Sequence, residues 1–398
     1  MIYLNTGTTE SEVRSYFKTA GIETFVGYAT QDDKVIWPEK PIRALKFTSI
    51  GCQAIRLYVP SLISIPPYLE YSYDGNTWTE WDFSEIEFGE DTENAVLYIR
   101  GYNPEGFPTV EDTNIRFEFT ESVQVNCSGS IMYLLDYHCD LTEIPNSYCF
   151  HRLFKDCSVL VSAPELPATT LSEGCYSEMF AGCTNLTTAP ALPATTLATY
   201  CYSGMFEGCT SLTTAPELPA TTLVDGCYNG MFCYCTSLTT APELPATTLV
   251  DYCYSYMFQG CTSLTTAPAL PATTLARNCY EWMFAGCTSL TTAPALPATT
   301  LAYSCYVEMF EDCTSLVTAP ELPATTLVDY CYSYMFQGCT NLNYIKCLAI
   351  DVSAQRCMYC WVSNVASTGT FVKHTDATWS TEGVDVVPTG WTVEYASE

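Results

Sequence analysis

Basic residues are scarce in this chain: 15 Lys and Arg stand against 44 Asp and Glu over 398 residues, a formal charge of -29. Such a charge repels phosphate backbones and anionic lipid, so neither a nucleic acid nor a membrane surface is an expected partner. Long apolar runs are missing too. No stretch reaches the ~20 residues that a bilayer span requires, which excludes membrane insertion as a helix. The first seven residues, Met-Ile-Tyr-Leu-Asn-Thr-Gly, lack the basic segment and apolar run of a secretory signal. Histidine is nearly absent, with only His138, His151 and His374. The run His138-Cys139-Asp140 holds triad letters, but adjacent side chains diverge and cannot pass a proton along. There is no glycine-rich phosphate loop. With no base placed beside a nucleophile, the expectation is a chain that is not an enzyme and carries no cofactor.

What the chain has in abundance is cysteine, 23 residues, placed with strict regularity. Cys149, Cys175, Cys201, Cys227, Cys253, Cys279, Cys305, Cys331 and Cys357 follow one another at a constant step. A second series from Cys157 to Cys339 keeps the same step. One unit reads Cys201-Tyr-Ser-Gly-Met-Phe-Glu-Gly-Cys-Thr-Ser-Leu-Thr-Thr-Ala-Pro-Glu-Leu-Pro-Ala-Thr-Thr-Leu. A 26-residue period lies within the range of leucine-rich repeats, each unit being one coil of a solenoid.

Each unit divides in two. Leu197, Cys201, Tyr202, Met205, Phe206 and Cys209 recur at steps of three and four, which predicts an amphipathic helix with these residues on its buried stripe. Thr222 with Asp225 resembles a capping box for the next one. The run from Leu212 to Leu218 is short and bears proline, so it reads as a brief strand or extended turn ended by Pro216 and Pro219. The expected class is therefore an α/β repeat solenoid of the leucine-rich-repeat type. The repeat cysteines read as small buried thiols in preference to disulfides or a metal site, since Cys233-Tyr-Cys235 and Cys357-Met-Tyr-Cys360 are lone pairs.

The signature Met283-Phe-Ala-Gly-Cys-Thr-Ser-Leu-Thr resembles the BspA-like leucine-rich repeats of Bacteroidales surface proteins and their phages. The resemblance covers about residues 121–398. It implies attachment to a surface as the activity. A bacterial surface glycan or protein is then the expected partner, and the location a virion or the extracellular space, with the bacterial cell surface as alternative. Without a visible export signal, release of a phage particle by lysis is one route outward. Residues 1–45 are an arm with a short helical stretch near Ser11 to Ala20, a candidate contact to other virion proteins. Residues 46–120 read as a small β-sandwich-like module, with a hairpin from Leu69 to Trp81 turning at Asp74-Gly75. Residues 121–145 cap the solenoid, 146–345 hold the repeats, and 346–398 hold a degenerate last repeat and a C-terminal β cap around Trp379 and Trp391.

Two sets of residues are candidates for binding. The outer face of the helical half varies between units while the strand half stays uniform even at its exposed threonines. Tyr200, Asp225, Asn229, Asp251, Tyr252, Tyr256, Arg277, Asn278, Trp282, Tyr303, Tyr330 and Tyr334 lie on that variable face. Tyrosine, asparagine and aspartate dominate there, as in adaptable binding loops. Arg277 beside Trp282 is a candidate hot spot, with an isolated exposed arginine as the alternative. Glu165, Glu217, Glu243 and Glu321 share one position of the strand half. Neighbours such as Glu217 and Glu243 would lie about 5 Å apart. They are weak calcium candidates, and a solvated acidic stripe is the favoured reading, so no metal is expected.

Overall fold

The structure, a computed structural model, describes residues 42–63, 65–89, 95–107, 115–379, 383 and 385–396, together with the backbone of four strands in residues 15–36. The chain divides into two compact units, Met1–Arg43 and Ala44–Glu398.

In the first unit β1 (Ser15–Thr19) pairs antiparallel with β2 (Ile22–Val26), and β3 (Ala29–Gln31) with β4 (Lys34–Ile36). The helical stretch expected near residues 11–20 is therefore a strand where it is described. Tyr16, Phe17 and Thr19 favour extended backbone, and only two residues separate them from a partner rich in β-branched and aromatic residues. Residues 11–14 and 20 lie outside the described residues.

The second unit begins with β5 (Leu45–Ser49), β6 (Gln53–Tyr58), β7 (Leu69–Ser72), β8 (Thr79–Glu80), β9 (Ile86–Phe88), β10 (Ala95–Gly101), β11 (Arg116–Phe119), β12 (Val125–Ser128) and β13 (Leu160–Ser162). They form a six-stranded sheet, ordered β13-β12-β5-β10-β7-β8, and a three-stranded sheet, β11-β6-β9. Period-two burial along β5 and β10 gives each an apolar inner face. Phe47 of one sheet meets Phe117 of the other with ring centroids 5.6 Å apart. The Asp74-Gly75 turn closes the β7–β8 hairpin, with the Asp74 carboxylate accepting the N–H groups of Asn76 and Thr77 at 2.8 and 2.7 Å.

From residue 148 the chain forms one coil per repeat, and each coil bonds to the next through its backbone. In residues 200–209, Tyr200, Tyr202, Gly204, Phe206 and Gly208 donate their N–H groups to Asp225, Cys227, Asn229, Met231 and Cys233 at 2.8–3.1 Å. The alternate residues Cys201, Ser203, Met205, Glu207 and Cys209 donate to carbonyls three residues back at 3.0–3.2 Å. Half of the amides are thus committed to the neighbouring coil and cannot join the i→i−4 ladder of a helix. Every fourth residue is left-handed: Tyr200, Gly204 and Gly208 have φ of 52°, 58° and 69°. The same three positions are left-handed in every coil from residues 148–156 to 356–364.

This corrects the expected helical half. Among the described residues the single helical element is a 3-10 turn at Ile131–Leu134, and with no helix at residue 223 there is no capping box at Thr222 and Asp225. The other half of each coil is the extended turn expected from its prolines. In the middle coils it joins its neighbours at isolated bridges such as Thr214↔Thr240 and Thr248↔Thr274, and longer ladders form at β13 and β14 near the two ends.

The core consists of ladders along the stack. Phe154, Phe180, Phe206, Phe232, Phe258, Phe284, Phe310 and Phe336 stack with centroids 5.5–5.8 Å apart. A second ladder runs from Phe150 through Tyr176 to Tyr332 at 5.8–6.0 Å. Beside the phenylalanines, the thiol of Cys235 donates to the Phe206 carbonyl at 3.0 Å, and the bond repeats at Cys183, Cys209, Cys261, Cys287, Cys313 and Cys339. Each of these carbonyls already accepts a backbone N–H, as Phe206 does from Cys209 at 3.0 Å, so the thiol is a second donor to it as well as packing. No disulfide joins any of the 23 cysteines.

At each end of the aromatic ladders a further ring repeats the contacts of a coil. Phe117 stands 5.2 Å from Phe154, and its carbonyl accepts the Cys157 thiol at 3.2 Å, as Phe154 does for Cys183. At the other end Trp361 meets Tyr332 at 6.2 Å and Phe336 at 6.1 Å. Beyond it β14 (Tyr344–Cys347), β15 (Thr370–Lys373) and β16 (Thr392–Tyr395) form a parallel sheet. Tyr344 pairs with Thr370, one coil step further along the chain, so the tail adds rungs to the stack.

Candidate binding face

The left-handed positions form three columns along the stack, some exposed and some buried, and these hold most of the variable residues. One column runs Tyr148, Gly174, Tyr200, Gly226, Tyr252, Asn278, Ser304, Tyr330, Arg356. The second runs Arg152, Glu178, Gly204, Gly230, Tyr256, Trp282, Glu308, Tyr334, Cys360, and the third contains Tyr234 and Gly260. A left-handed conformation costs a non-glycine residue about 1–2 kcal/mol. It persists here because such a residue is fixed at both backbone groups: Tyr200 donates its N–H to Asp225 of the next coil at 3.1 Å and accepts Ser203 within its own coil at 3.1 Å.

Tyrosines in these columns are of two kinds. Tyr148, Tyr200 and Tyr234 each lie over a glycine of the next coil, and a Cβ built on Gly174, Gly226 or Gly260 would overlap the ring. These rings are seated on a glycine, and they remain 39%, 40% and 50% exposed. Tyr252, Tyr256, Trp282, Tyr330 and Tyr334 are followed in their columns by Asn278, Trp282, Glu308, Arg356 and Cys360, so they have no such seat. The unseated rings gather in the C-terminal coils. Tyr256 stacks on Trp282 at 5.9 Å, Tyr303 lies 5.6 Å from Tyr330, and Tyr334 meets Tyr359 edge-on at 5.2 Å.

Of the variable-face residues, Tyr200, Asp225, Arg277 and Tyr303 are exposed, while Asn229, Asp251, Tyr252, Tyr256, Trp282, Tyr330 and Tyr334 are half-buried. Asn278 is buried at 7% exposure, which removes it from the accessible face. Its carbonyl accepts the Ser255 hydroxyl at 2.9 Å, and its side-chain oxygen accepts Arg277 Nε at 3.2 Å. Arg277 does not pair with Trp282. Its guanidinium lies over the Tyr303 ring at 4.9 Å, and its N–H donates to the Asp251 carboxylate at 2.9 Å.

Carboxylates surround the aromatic cluster. Glu308 follows Trp282 in its column, and burial, then the charges of Glu311 and Glu281, push its carboxyl up to about 8. Glu311 accepts Gln337 Nε2 at 2.6 Å. Sequence reasoning passed over Glu308 and Glu311, whose three-residue spacing on a variable face was the available signal. The His151 ring is half-buried against the Ser177 carbonyl at 3.0 Å, and burial lowers its pKa. His138 Nδ1 and the Cys139 thiol both turn to Asp136, at 3.0 and 3.2 Å.

On the opposite edge Glu217 and Glu243 are exposed above a groove walled by Pro216, Pro219, Pro242 and Pro245. Among the described residues no three His, Cys, Asp or Glu side chains converge as metal ligands. Glu321, in the same column, pairs with Lys346 at 3.0 Å. Burial pushes the thiol of Cys209 up to about 12, and the other repeat cysteines move in the same direction, which leaves little thiolate for chemistry at neutral pH.

Coils of fixed length, bonded rung to rung, with a uniform edge and a variable face, define a tandem-repeat protein. The sequence pattern of the BspA type leucine rich repeat region matches residues 146–291 and 270–364 in 6 copies, more than half of the chain, and the chain belongs to that family. No curated protein and no solved structure matches it.

Proposed function

We propose that this chain is a non-catalytic adhesion or host-recognition protein. It acts as a phage virion or fibre component whose solenoid binds a bacterial surface glycan or protein through the outer face of its C-terminal coils. Family membership supports a surface or adhesion role. The observation that carries the reading is the unseated aromatic cluster. Glycine is the cheapest residue at a left-handed position, yet Tyr256, Trp282, Tyr330 and Tyr334 are aromatic there, at φ of 56–61°. These rings pack on one another and still keep part of their surface exposed, which leaves aromatic area available to a ligand. Tyrosine, tryptophan and arginine are the usual anchors of recognition, and Arg277 lies over the exposed Tyr303 ring at 4.9 Å.

A chain with Tyr252, Tyr256, Trp282 and Tyr330 replaced by alanine tests this. It should keep its far-ultraviolet spectrum and lose attachment to bacterial host cells. Unchanged attachment by the folded variant would remove the face from the account. A secreted bacterial adhesin of the same family is the second reading, favoured by the family itself. Genes for tail or capsid proteins beside this one support the virion, and an upstream secretory signal in the native gene supports the adhesin.

A further inference from the structure

Gly204 and Gly230 are consecutive in the second left-handed column, between Glu178 and Tyr256. Other column glycines are covered by the side chain before them, as Gly226 is by Tyr200 and Gly338 by Asp312, or lie against a glycine backbone, as Gly208 does on Gly182. Gly230 has neither cover. Its backbone is buried, yet a Cβ built on it would meet nothing nearer than the Cβ of Cys233 at 4.0 Å. Over Gly204 the same construction meets Glu178 Cγ at 3.1 Å and Glu207 Oε2 at 3.4 Å. The outer face therefore has a notch over Gly230, closed on one side by the chains of Glu178 and Glu207.

Its other wall is Tyr256. That ring stacks on Trp282 of the following coil at 5.9 Å with planes 16° apart, so its second face looks back toward the coil of Gly230. One missing side chain opens a slot one rung deep, about 5 Å. That matches one ring seated at van der Waals distance from an aromatic face. Around the slot stand Asn229, with an amide that both donates and accepts, the hydroxyl of Ser203 and the carboxylate of Glu207, all at least partly exposed.

An aromatic wall with mixed donors and acceptors around it suits a ring that is apolar on its faces and hydroxylated at its edge. We propose that the notch over Gly230 is a subsite for one sugar ring of a neutral surface polysaccharide, stacked on the free face of Tyr256. The proposal rests on the reading of this face as a binding face and names its ligand. A formal charge of -29 works against acidic polymers.

The test uses the full chain and neutral oligomers of glucose, mannose, galactose and N-acetylglucosamine, followed by the fluorescence of Trp282. Gly230→Tyr fills the slot with a residue that the column already carries at Tyr256 and Tyr334, at φ of 59° and 56° against 60° for Gly230, so the fold accommodates it. At least one oligomer should bind the native chain. Gly230→Tyr and Tyr256→Ala should each weaken that binding about tenfold, the size of one lost aromatic contact. Tyr256→Phe should bind within about twofold of the native chain, since the ring remains. Binding of no oligomer, or equal binding by Gly230→Tyr, overturns the subsite. Native attachment to cells without oligomer binding removes the subsite and leaves the face. Absence of attachment removes the reading of the face itself.

Discussion

Replacing Gly226 and Gly230 by alanine, one at a time, separates backbone strain from ring seating. Both glycines have φ of 60°, both are buried, and they lie in the same coil. Each alanine bears the left-handed penalty of about 1–2 kcal/mol. Only the alanine at Gly226 also meets the ring of Tyr200, which has to leave its seat. Tyr200 is 40% exposed, so rather more than half of the ring's burial is at stake. Full burial of a large apolar side chain is worth about 1.5–3 kcal/mol, which makes the displacement worth about 1–2 kcal/mol. Gly226→Ala should therefore cost about 2–4 kcal/mol and Gly230→Ala about 1–2 kcal/mol. In a Tyr200→Ala background the cost at Gly226 should fall to that at Gly230, a coupling of about 1–2 kcal/mol. Urea unfolding of these chains measures this. Equal costs at the two glycines, or no coupling to Tyr200, would refute the distinction between seated and unseated rings.

Phe258, stacked at 5.8 Å on Phe232 and 5.7 Å on Phe284, is fully buried, and Phe258→Ala should cost about 3–5 kcal/mol. In a stack held by nearest neighbours the loss should split urea unfolding into two transitions, and a single unshifted one would contradict the ladder. Among the thiols only Cys52 and Cys139 are exposed and Cys360 partly so, so a thiol reagent should label these in the native chain and the others only after unfolding. The Glu308 carboxyl is raised in the fold from its ordinary 4.5 to about 8, so the folded state holds a proton that the unfolded state releases. Stability should fall as pH rises through that window, and Glu308→Gln should flatten the decline. A slope untouched by the substitution would assign it to other groups.

The repeat was legible because the constant cysteine step is an arithmetic fact of the sequence, and buried thiols followed from the same stripe. The local conformation was not. Cys201, Met205 and Cys209 recur at a step of four, as do Tyr202 and Phe206, and over so short a run a period of four passes for 3.6. The signal that separates the two lay in the glycines. Gly204, Gly208, Gly226 and Gly230 each cost a helix about 1 kcal/mol, and they fall at the left-handed positions. The variable face is a contrast within the sequence itself, differing residues against a uniform edge. Which of its tyrosines were seats depended on the residue one coil later, a comparison that becomes meaningful once the coils are known to stack. Asn278 is buried at a position that is also buried at Gly174, Gly226 and Ser304, a property of the coil rather than of the residue type.

Seats, unseated rings and the notch over Gly230 all require a turn-built coil in which every fourth residue is left-handed. Far-ultraviolet circular dichroism of the full chain tests that requirement most directly. The account predicts a spectrum without the double minimum of α-helix, since the described residues contain one short 3-10 turn and no α-helix. Helical halves of about ten residues in every coil, the outcome that apolar periodicity alone suggests, would give that double minimum strongly and contradict the account.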